Sequence, residues 1–437
     1  MIKIEPKTLK GFRDFLPAEQ IPRQKMMEVI RASYESFGFE PLETPALEYA
    51  EVLTGKYGDE GEKLMYRFKD NGDRDVALRY DLTIPLARVV AQYGDLKKPF
   101  KRYQISPVWR ADNTQKGRYR EFYQCDADIV GTSSPLADAE VLALAANTLV
   151  KLGVPQDGFV VRVNSRVIIA AFYDSLKLSP EAKVAAIRAV DKIDKIGKEG
   201  VREELLAAGI SAENGESIVD FAETALDAMA ARDELAAVAE ATPAIKPPLE
   251  DLLFIIEKAA VLSPDTRFII DLSIARGLDY YTGMIFETTL SEAPQFGSVL
   301  SGGRYDDLVG MFANKPVPAV GASIGLDRLI AVLQELKLMT AQKSTATALI
   351  VNFDESLIDD YLSLASDLRA AGINTILYPD TTDMKKQLAY ASDKGIKYAV
   401  IYGANEAKEE KATVKNLEKG TQEKVDFKDV SKHLSAE

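Results

Sequence analysis

Histidine is nearly absent from this chain of 437 residues: the single one, His433, stands close to the C-terminal end. That scarcity excludes a Ser-His-Asp triad, a Cys-His nucleophile pair within ordinary reach, and a histidine-rich zinc site. Any chemistry must therefore run on carboxylates, arginines, lysines, tyrosines and bound ions. Cysteine is equally scarce. Cys125 stands alone, which excludes an internal disulfide, fits a reducing cytoplasm, and reads as a small buried packing residue rather than a nucleophile. No apolar run approaches the length of a membrane span. The opening Met1-Ile-Lys-Ile-Glu-Pro-Lys7 lacks the apolar centre of a signal peptide. A cytoplasmic protein with no membrane partner is expected. Positive charge is in deficit: a net −13 argues against a nonspecific wrapper of nucleic acid, while leaving room for a local basic strip. A Gly-x-x-x-x-Gly-Lys-Ser/Thr phosphate loop is missing as well.

What is present is long enough for two or three domains. Residues 1–172 hold strand-like pieces at Met65–Phe68, Asp75–Arg79, Lys101–Ser106 and Tyr119–Cys125, with helical patterns over Glu19–Phe37 and Thr83–Tyr93. Val108–Arg110 facing Tyr119–Asp126 across Ala111–Gly117 predicts a long hairpin whose loop carries Lys116 and Arg118. This order predicts an α+β architecture, a mostly antiparallel sheet with helices rather than repeating βαβ units. Over 173–262 the composition turns to alanine, glutamate, lysine and leucine. Strand patterns vanish there and helical ones take over (Glu203–Ala208, Ser217–Ala231, Leu249–Lys258), which predicts a helical insertion. Strand patterns resume at Arg267–Ile274, and residues 263–337 complete the sheet, ending in Val320–Gly325 and a helix over Leu326–Leu336. Residues 338–347 have linker character. Over 348–437, strands at Ala348–Phe353, Asn374–Tyr378 and Tyr398–Tyr402 alternate with helices at Glu355–Ala371 and Met384–Lys394. That alternation predicts a separate α/β domain of parallel type.

Several constellations carry chemistry. In Arg276-Gly-Leu-Asp-Tyr-Tyr281 a cation, a glycine, an acid and two phenols arrive where a strand meets a turn. Such a cluster can hold a small zwitterion and a phosphate at once. Arg110 ends a strand, and Arg328 sits in the first turn of a helix, where a cation opposes the helix dipole by ~0.3–1 kcal/mol. That misplacement points to a polyphosphate, whose oxygens match guanidinium forks. Gly321 and Gly325 permit close approach of another group to their strand. Asp81 and Thr83 lie between a strand and a helix. Gln124, Asp126 and Asp128 alternate, so they share one face of a strand, meeting either a ligand or water.

These segments resemble the histidyl-tRNA synthetases, class II aminoacyl-tRNA synthetases, over nearly the whole chain. The carriers are Gly11-Phe-Arg-Asp-Phe-Leu-Pro17, Leu78-Arg-Tyr-Asp-Leu-Thr83, Phe100–Arg110, Gln115–Asp126, Arg276–Tyr281, Ser301-Gly-Gly-Arg-Tyr-Asp306 and Gly321–Arg328. Arg110 with Phe122 looks like the second class motif and Gly325-Leu-Asp-Arg328 like the third. The Arg-Gly-Leu-Asp-Tyr-Tyr and Gly-Gly-Arg-Tyr-Asp segments are the ones that mark histidine. The resemblance implies an antiparallel catalytic core that binds ATP, a helical insertion touching the tRNA acceptor arm, and a C-terminal anticodon-binding α/β domain. It implies that Arg110 and Arg328 hold the α- and γ-phosphates, that Phe122 stacks on adenine, and that Arg118 and Gly325 complete the ATP site. Asp81, Thr83 and Gln124 would hold the histidine ammonium, with Leu82 among them and Arg110 shared between the two substrates. Asp128 and Tyr281 would bond the imidazole nitrogens beside Tyr280 and Tyr305. Arg276 would hold the carboxylate near the α-phosphate, making Arg110, Arg276 and Arg328 the catalytic set. Asp279 would only support that segment. Mg²⁺ is implied with ATP, without assigned side-chain ligands. A histidine tRNA is implied as partner, and a homodimer through residues 21–50. The family often has glutamate where Asp81 stands, and Trp109 is bulkier than expected. A non-catalytic regulatory paralogue sensing histidine or uncharged tRNA is the alternative; such relatives typically lack segments present here.

Overall fold

The computed structural model describes residues 4–55, 58–115, 117–275, 280–313, 315–339 and 341–436. It divides into two compact units, residues 1–13 with 26–339, and 14–25 with 340–437. Helix α1 (Pro17–Ser36) presents Met26, Ile30 and Tyr34 at helical spacing to the core of the first unit. Strands β1 (Glu40–Pro41), β2 (Leu47–Tyr49), β3 (Arg67–Lys69) and β4 (Asp75–Leu78) follow, with short helices α2 (Ala50–Leu53) and α3 (Gly58–Lys63) between them. β2, β4 and β3 form a small antiparallel sheet. Tyr80–Leu82 then leads into α4 (Thr83–Gln92).

The expected hairpin is real and longer than its two sequence pieces. β5 (Phe100–Trp109) and β6 (Glu121–Val130) pair without interruption from Phe100↔Val130 to Trp109↔Glu121. At its loop end the large Trp109 ring is anchored by its Nε1–H, which donates to Glu121 at 2.6 Å. Helix α5 (Pro135–Lys151) starts with proline at its first position, where no helical N–H is needed, and is capped by Ser134 accepting from Leu136 N. β7 (Phe159–Ser165) precedes the helical segment: α6 (Arg166–Ser175), α7 (Pro180–Val190), α8 (Ile193–Ala207), α9 (Ala212–Ala222), β8 (Ala225–Asp227), α10 (Arg232–Ala241) and α11 (Lys246–Leu262). β9 (Phe268–Asp271), β10 (Met284–Leu290), β11 (Leu300–Arg304) and β12 (Ala319–Gly325) complete the sheet, and α12 (Leu326–Glu335) closes the unit. Among the described residues the main sheet has the order β1-β5-β6-β12-β11-β10-β7-β9-β8. It is antiparallel except where β1 meets β5 and β7 meets β9. The α+β expectation holds.

Two sequence expectations fail. The helical stretch is not free of strands, because the helix expected over Ser217–Ala231 stops at Ala222 and β8 pairs antiparallel with β9. Alanine propensity there yields to tertiary pairing, and three residues are too few to display a period of two. The second failure concerns the C-terminal unit. Its β14 (Thr375–Leu377), β13 (Ala348–Ile350) and β15 (Tyr398–Ile401) are parallel, linked through α13 (Ile358–Ala370) and α14 (Met384–Asp393). After α15 (Ala404–Glu409), however, β16 (Lys411–Asn416) and β17 (Thr421–Asp426) extend the sheet antiparallel, before α16 (Val430–Ala436). β17 is almost wholly exposed, so its charged sequence gave no hydrophobic alternation to read. Among the described residues no helix is long and apolar enough to cross a membrane.

The centre of the main sheet is unusually tight. Gly302 of β11 lies opposite Ala322 of β12, and a Cβ built on it would collide with the Gly321 carbonyl oxygen and the Phe286 ring. The Gly321 carbonyl belongs to a paired strand and cannot yield alone. Gly302→Ala should therefore lower stability by about 2–3 kcal/mol, read as a drop in the midpoint of urea unfolding. An unchanged midpoint would mean that β11 can move away from β12 freely.

Candidate active site

β6 lies between β5 and β12, and its register decides which groups meet. Gln124, Asp126 and Asp128 share one face and are all buried, at 9%, 1% and 3% exposure, so water is not what that face meets. Asp128 lies opposite Gly321 in register, where a Cβ would strike its carboxylate. The close approach expected at Gly321 is thus made by the chain's own acid. Gly325 differs, with only the Arg328 Cβ at 3.9 Å, and room remains beside it.

A cleft of about 490 Å³ opens over this strand end. Its lining contains Asp81, Thr83, Arg110, Arg118, Phe122, Gln124, Tyr280, Tyr281, Gly325 and Arg328, ten of the residues singled out in the sequence. Asp128 and Tyr305 do not line it but sit together beneath, the Tyr305 hydroxyl donating to Asp128 Oδ1. Leu82 is fully buried just before α4, and its carbonyl accepts from Arg102 Nη2 at 3.1 Å. Arg276 and Asp279 lie outside the described residues. The flanks of that segment are anchored: Asn164 Nδ2 donates to the Ile274 carbonyl at 2.9 Å, and Thr282 N donates to the Arg304 carbonyl at 2.8 Å.

The two ends of the cleft differ in charge. At one end, Arg110 is held by its Nε–H donating to the Tyr80 carbonyl at 3.0 Å, with its guanidinium carbon 4.3 Å from the Tyr80 ring centroid and 5.2 Å from that of Phe122. Arg328 Nη1 donates to the Ser298 carbonyl at 2.6 Å. Burial pushes the Arg328 guanidinium down from its ordinary range, and the neighbouring charges of Arg118 and Arg110 push the same way. Three like charges so close together are poised for an anion. Behind them Asp327 organises the turn: Oδ1 accepts from Arg13 at 2.6 Å and Oδ2 from Tyr123 N at 2.8 Å. Arg13 also covers the Tyr119 ring, 3.3 Å from its centroid.

The other end is acidic and phenolic. Asp81 Oδ1 accepts from Thr83 N at 3.2 Å and Ile84 N at 3.0 Å, which caps α4 and fixes the carboxylate. Gln124 Nε2 donates to Ser323 Oγ at 2.8 Å. The rings of Tyr280, Tyr281 and Tyr305 lie 5.1–6.5 Å apart. Burial, then Asp128, Asp126 and Asp81, push the Tyr281 phenol up, so it remains a neutral donor. Burial also pushes the Asp126 carboxyl up to about 7, opposed by Arg102 and reinforced by Asp128.

Three residues of the site were not singled out from sequence, Arg102 and Asp126 at this end and Asp327 behind the arginines. Arg102 is fully buried, with Nη2 2.8 Å from Asp128 Oδ2. Asp126 was noticed only for its spacing, and Asp327 not at all. Arg102 had a legible signal, since it lies in the same hairpin in register with Asp128. Two other motif arginines prove structural. Arg304 donates from Nε to Asp138, from Nη1 to the Thr132 carbonyl and Asp306, and from Nη2 to the Ser134 carbonyl and Asp138. Arg79 is buried against the Pro107 carbonyl at 2.9 Å, with Glu43 and Thr44 as further partners.

Comparison with known proteins identifies the family. The family described as Histidyl-tRNA synthetase matches residues 11–329, and the one described as Anticodon binding domain matches residues 347–437. A histidine–tRNA ligase of Rhodopirellula baltica is 45% identical over 418 residues, covering 95% of this chain and 94% of that protein. One from Cytophaga hutchinsonii is 42% identical over 457 residues, covering 98% of each. The crystal structure of histidyl-tRNA synthetase from Nostoc sp. PCC 7120 superposes with a TM-score of 0.90 at 36% identity, over 99% of this chain and 100% of that one. A solved chain from Bacillus halodurans, described as an ATP phosphoribosyltransferase regulatory subunit/histidyl-tRNA synthetase, is 23% identical with a TM-score of 0.73, a likeness of fold alone. By its matched length and its full-length relatives, this chain belongs to the histidyl-tRNA synthetase family.

Proposed function

We infer that the chain is a histidine–tRNA ligase, which joins histidine to ATP as histidyl-adenylate with release of pyrophosphate and then transfers histidine to the 3′ end of its tRNA. The observation that carries this reading is the polarity of the cleft: arginines converge at one end, and acids with phenols at the other. A polyphosphate suits the first end, and an ammonium with an imidazole suits the second.

The reaction suits a chain with so little histidine. The substrate carboxylate is already an anion. Its oxygen attacks the α-phosphorus, the bond to the bridging oxygen breaks, and pyrophosphate leaves with that electron pair. No protein base is required, and the barrier falls through positioning and charge neutralisation. Arg110 would hold the α-phosphate and Arg328 the γ-phosphate, with Arg118 nearby and the adenine on Phe122. Gly325 leaves room for the nucleotide. Mg²⁺ would enter on the ATP phosphates as part of the substrate; no group of three or more His, Cys, Asp or Glu side chains among the described residues could hold an ion, and none is assigned to it. Asp81, Thr83 and Gln124 would take the ammonium, Arg276 the carboxylate. Tyr281 and Asp128 would pair with the two ring nitrogens beside Tyr280 and Tyr305. An analogue lacking either nitrogen would leave one buried partner unpaired, a discrimination on the order of 10⁴.

The same reading includes a cytoplasmic homodimer, with residues 21–50 at the interface, residues 173–262 as a helical insertion touching the acceptor arm, and residues 348–437 on the anticodon. The match of residues 347–437 to an anticodon-binding family supports the last of these. Sedimentation equilibrium tests the dimer, and a monomer at micromolar concentration would remove it.

Pyrophosphate exchange into ATP, run against each amino acid in turn, should respond to histidine alone; exchange with another amino acid, or with none, would sink the reading. Arg276→Ala should lower histidine-dependent exchange by on the order of 10³ while ATP binding, measured by equilibrium titration, stays within a few fold. Asp128→Ala should raise KM for histidine by roughly two orders of magnitude and KM for ATP far less. Equal rises would show that Asp128 does not face the imidazole.

A further inference from the structure

Arg102 is a fully buried cation that adenylate formation does not use. Its surroundings differ from those of a structural arginine. Arg304 saturates its guanidinium on two carboxylates and two carbonyls. Arg102 instead donates from Nη2 to the Leu82 carbonyl at 3.1 Å and pairs with Asp128 Oδ2 at 2.8 Å, while its Nε and Nη1 make no hydrogen bond among the described residues. Burying a cation that is only half satisfied costs several kcal/mol in general. Packing gives no return for that, but the neighbouring acids do. Asp81 reaches the cluster from the start of α4, and Asp126 and Asp128 from β6. Tyr305 stands at the end of β11, Tyr34 on α1, and Tyr281 beside them, with the Arg166 charge acting on Tyr281 from α6.

The donors around the two β6 acids are unequal. Asp128 accepts the Tyr305 hydroxyl on Oδ1 and faces the guanidinium with Oδ2. A proton on Oδ2 would point at a group with no lone pair, so the guanidinium favours the charged carboxylate against the burial that pushes Asp128 up. Asp126 lacks the guanidinium contact, and its Oδ1 has no hydrogen-bond partner. A neutral imidazole offers one N–H and needs an acceptor opposite it; a protonated Asp128 would turn that acceptor into a donor.

We propose that Arg102 is a positioning residue for histidine selection: its guanidinium keeps the charge of the acid cluster on Asp128 and ties that strand to the Leu82 carbonyl beside the ammonium site. The proton load of the cluster then rests on Asp126, whose carboxyl burial holds near neutrality. This assignment rests on the reading of the cleft as a histidine site. Losing the guanidinium raises the Asp128 pKa, so histidine binding, which needs the ionised form, is lost at neutral pH and regained only as pH rises.

The test uses the full-length enzyme and pyrophosphate exchange, with KM for histidine and for ATP measured across the pH range. Arg102→Met should raise KM for histidine at neutral pH about tenfold or more and shift the acid limb of kcat/KM for histidine upward by about one pH unit. KM for ATP should stay within about threefold. Arg102→Lys should restore most of the limb. Adding Asp126→Asn to Arg102→Met should return part of the shift by removing a competing acid, which a merely structural role would not do. Parallel rises in both KM values with an unmoved limb would overturn the proposal. Should Arg102→Met fail to fold, Arg102→Gln decides: its acid limb should move to higher pH in the same sense, and an unmoved or lowered limb overturns the role. Wild-type enzyme without histidine-dependent exchange would sink the parent reading, whereas a normal wild type with an unmoved limb sinks only the role of Arg102.

Discussion

The antiparallel register of β6 between β5 and β12 is the constraint on which the rest of the site depends. Side chains alternate along a strand, so a slip of one residue would send Gln124, Asp126 and Asp128 to the opposite face. The ladder from Phe100↔Val130 to Trp109↔Glu121 on one side and from Ala319↔Val130 to Gly325↔Gln124 on the other prevents that slip. The glycines are the second half of the same constraint. Gly321 leaves the volume that the Asp128 carboxylate occupies, and Gly302 lets β11 close over Gly321. Acids can sit this deep in a sheet because strand spacing and residue size were matched to them.

Around that register the arginines divide into three kinds, which their sequence contexts do not distinguish. Arg304 and Arg79 are saturated by carbonyls and carboxylates and hold loops in place. Among the described residues, Arg110 and Arg328 each place one nitrogen on a backbone carbonyl, at 3.0 and 2.6 Å, which orients the guanidinium. Arg102 is intermediate, buried like the first kind and unsaturated at Nε and Nη1 among the described residues. Satisfaction of donors, rather than burial, separates scaffold from site here.

The sequence carried the hairpin, the strand-to-helix step at Asp81–Thr83 and the helix after Gly325, because each combines a clear periodicity with a turn residue. It carried the cleft lining for a different reason: ten of the residues singled out come from short motifs that the chain brings together from distant positions. What it hid was set by tertiary pairing. β8 is three residues inside an alanine-rich stretch, and β17 is exposed and charged, so neither shows an apolar alternation. Arg102 was hidden because a buried arginine in a strand looks like a solvated one until its partner across the ladder is known. Asp327 was hidden for the same reason, its carboxylate bridging Arg13 and Tyr123 N from opposite ends of the unit.

The near absence of histidine acquires a physical meaning in this setting. The one present, His433, sits in the second unit with Nε2 2.9 Å from Glu423, so the cleft of the first unit contains no imidazole of its own. Under the proposed function, a ring-selecting pocket built from carboxylates and phenols gains by that. In the proposed histidine site, Tyr281 would be the neutral donor and Asp128 the charged acceptor, a donor–acceptor pair matched to the two ring nitrogens of a neutral imidazole. Burial pushes the Tyr281 phenol up and pushes the Asp128 carboxyl up as well, with the Arg102 guanidinium and the Tyr305 hydroxyl acting the other way on Asp128. The acceptor at Asp128 therefore depends on the Arg102 guanidinium that opposes its burial.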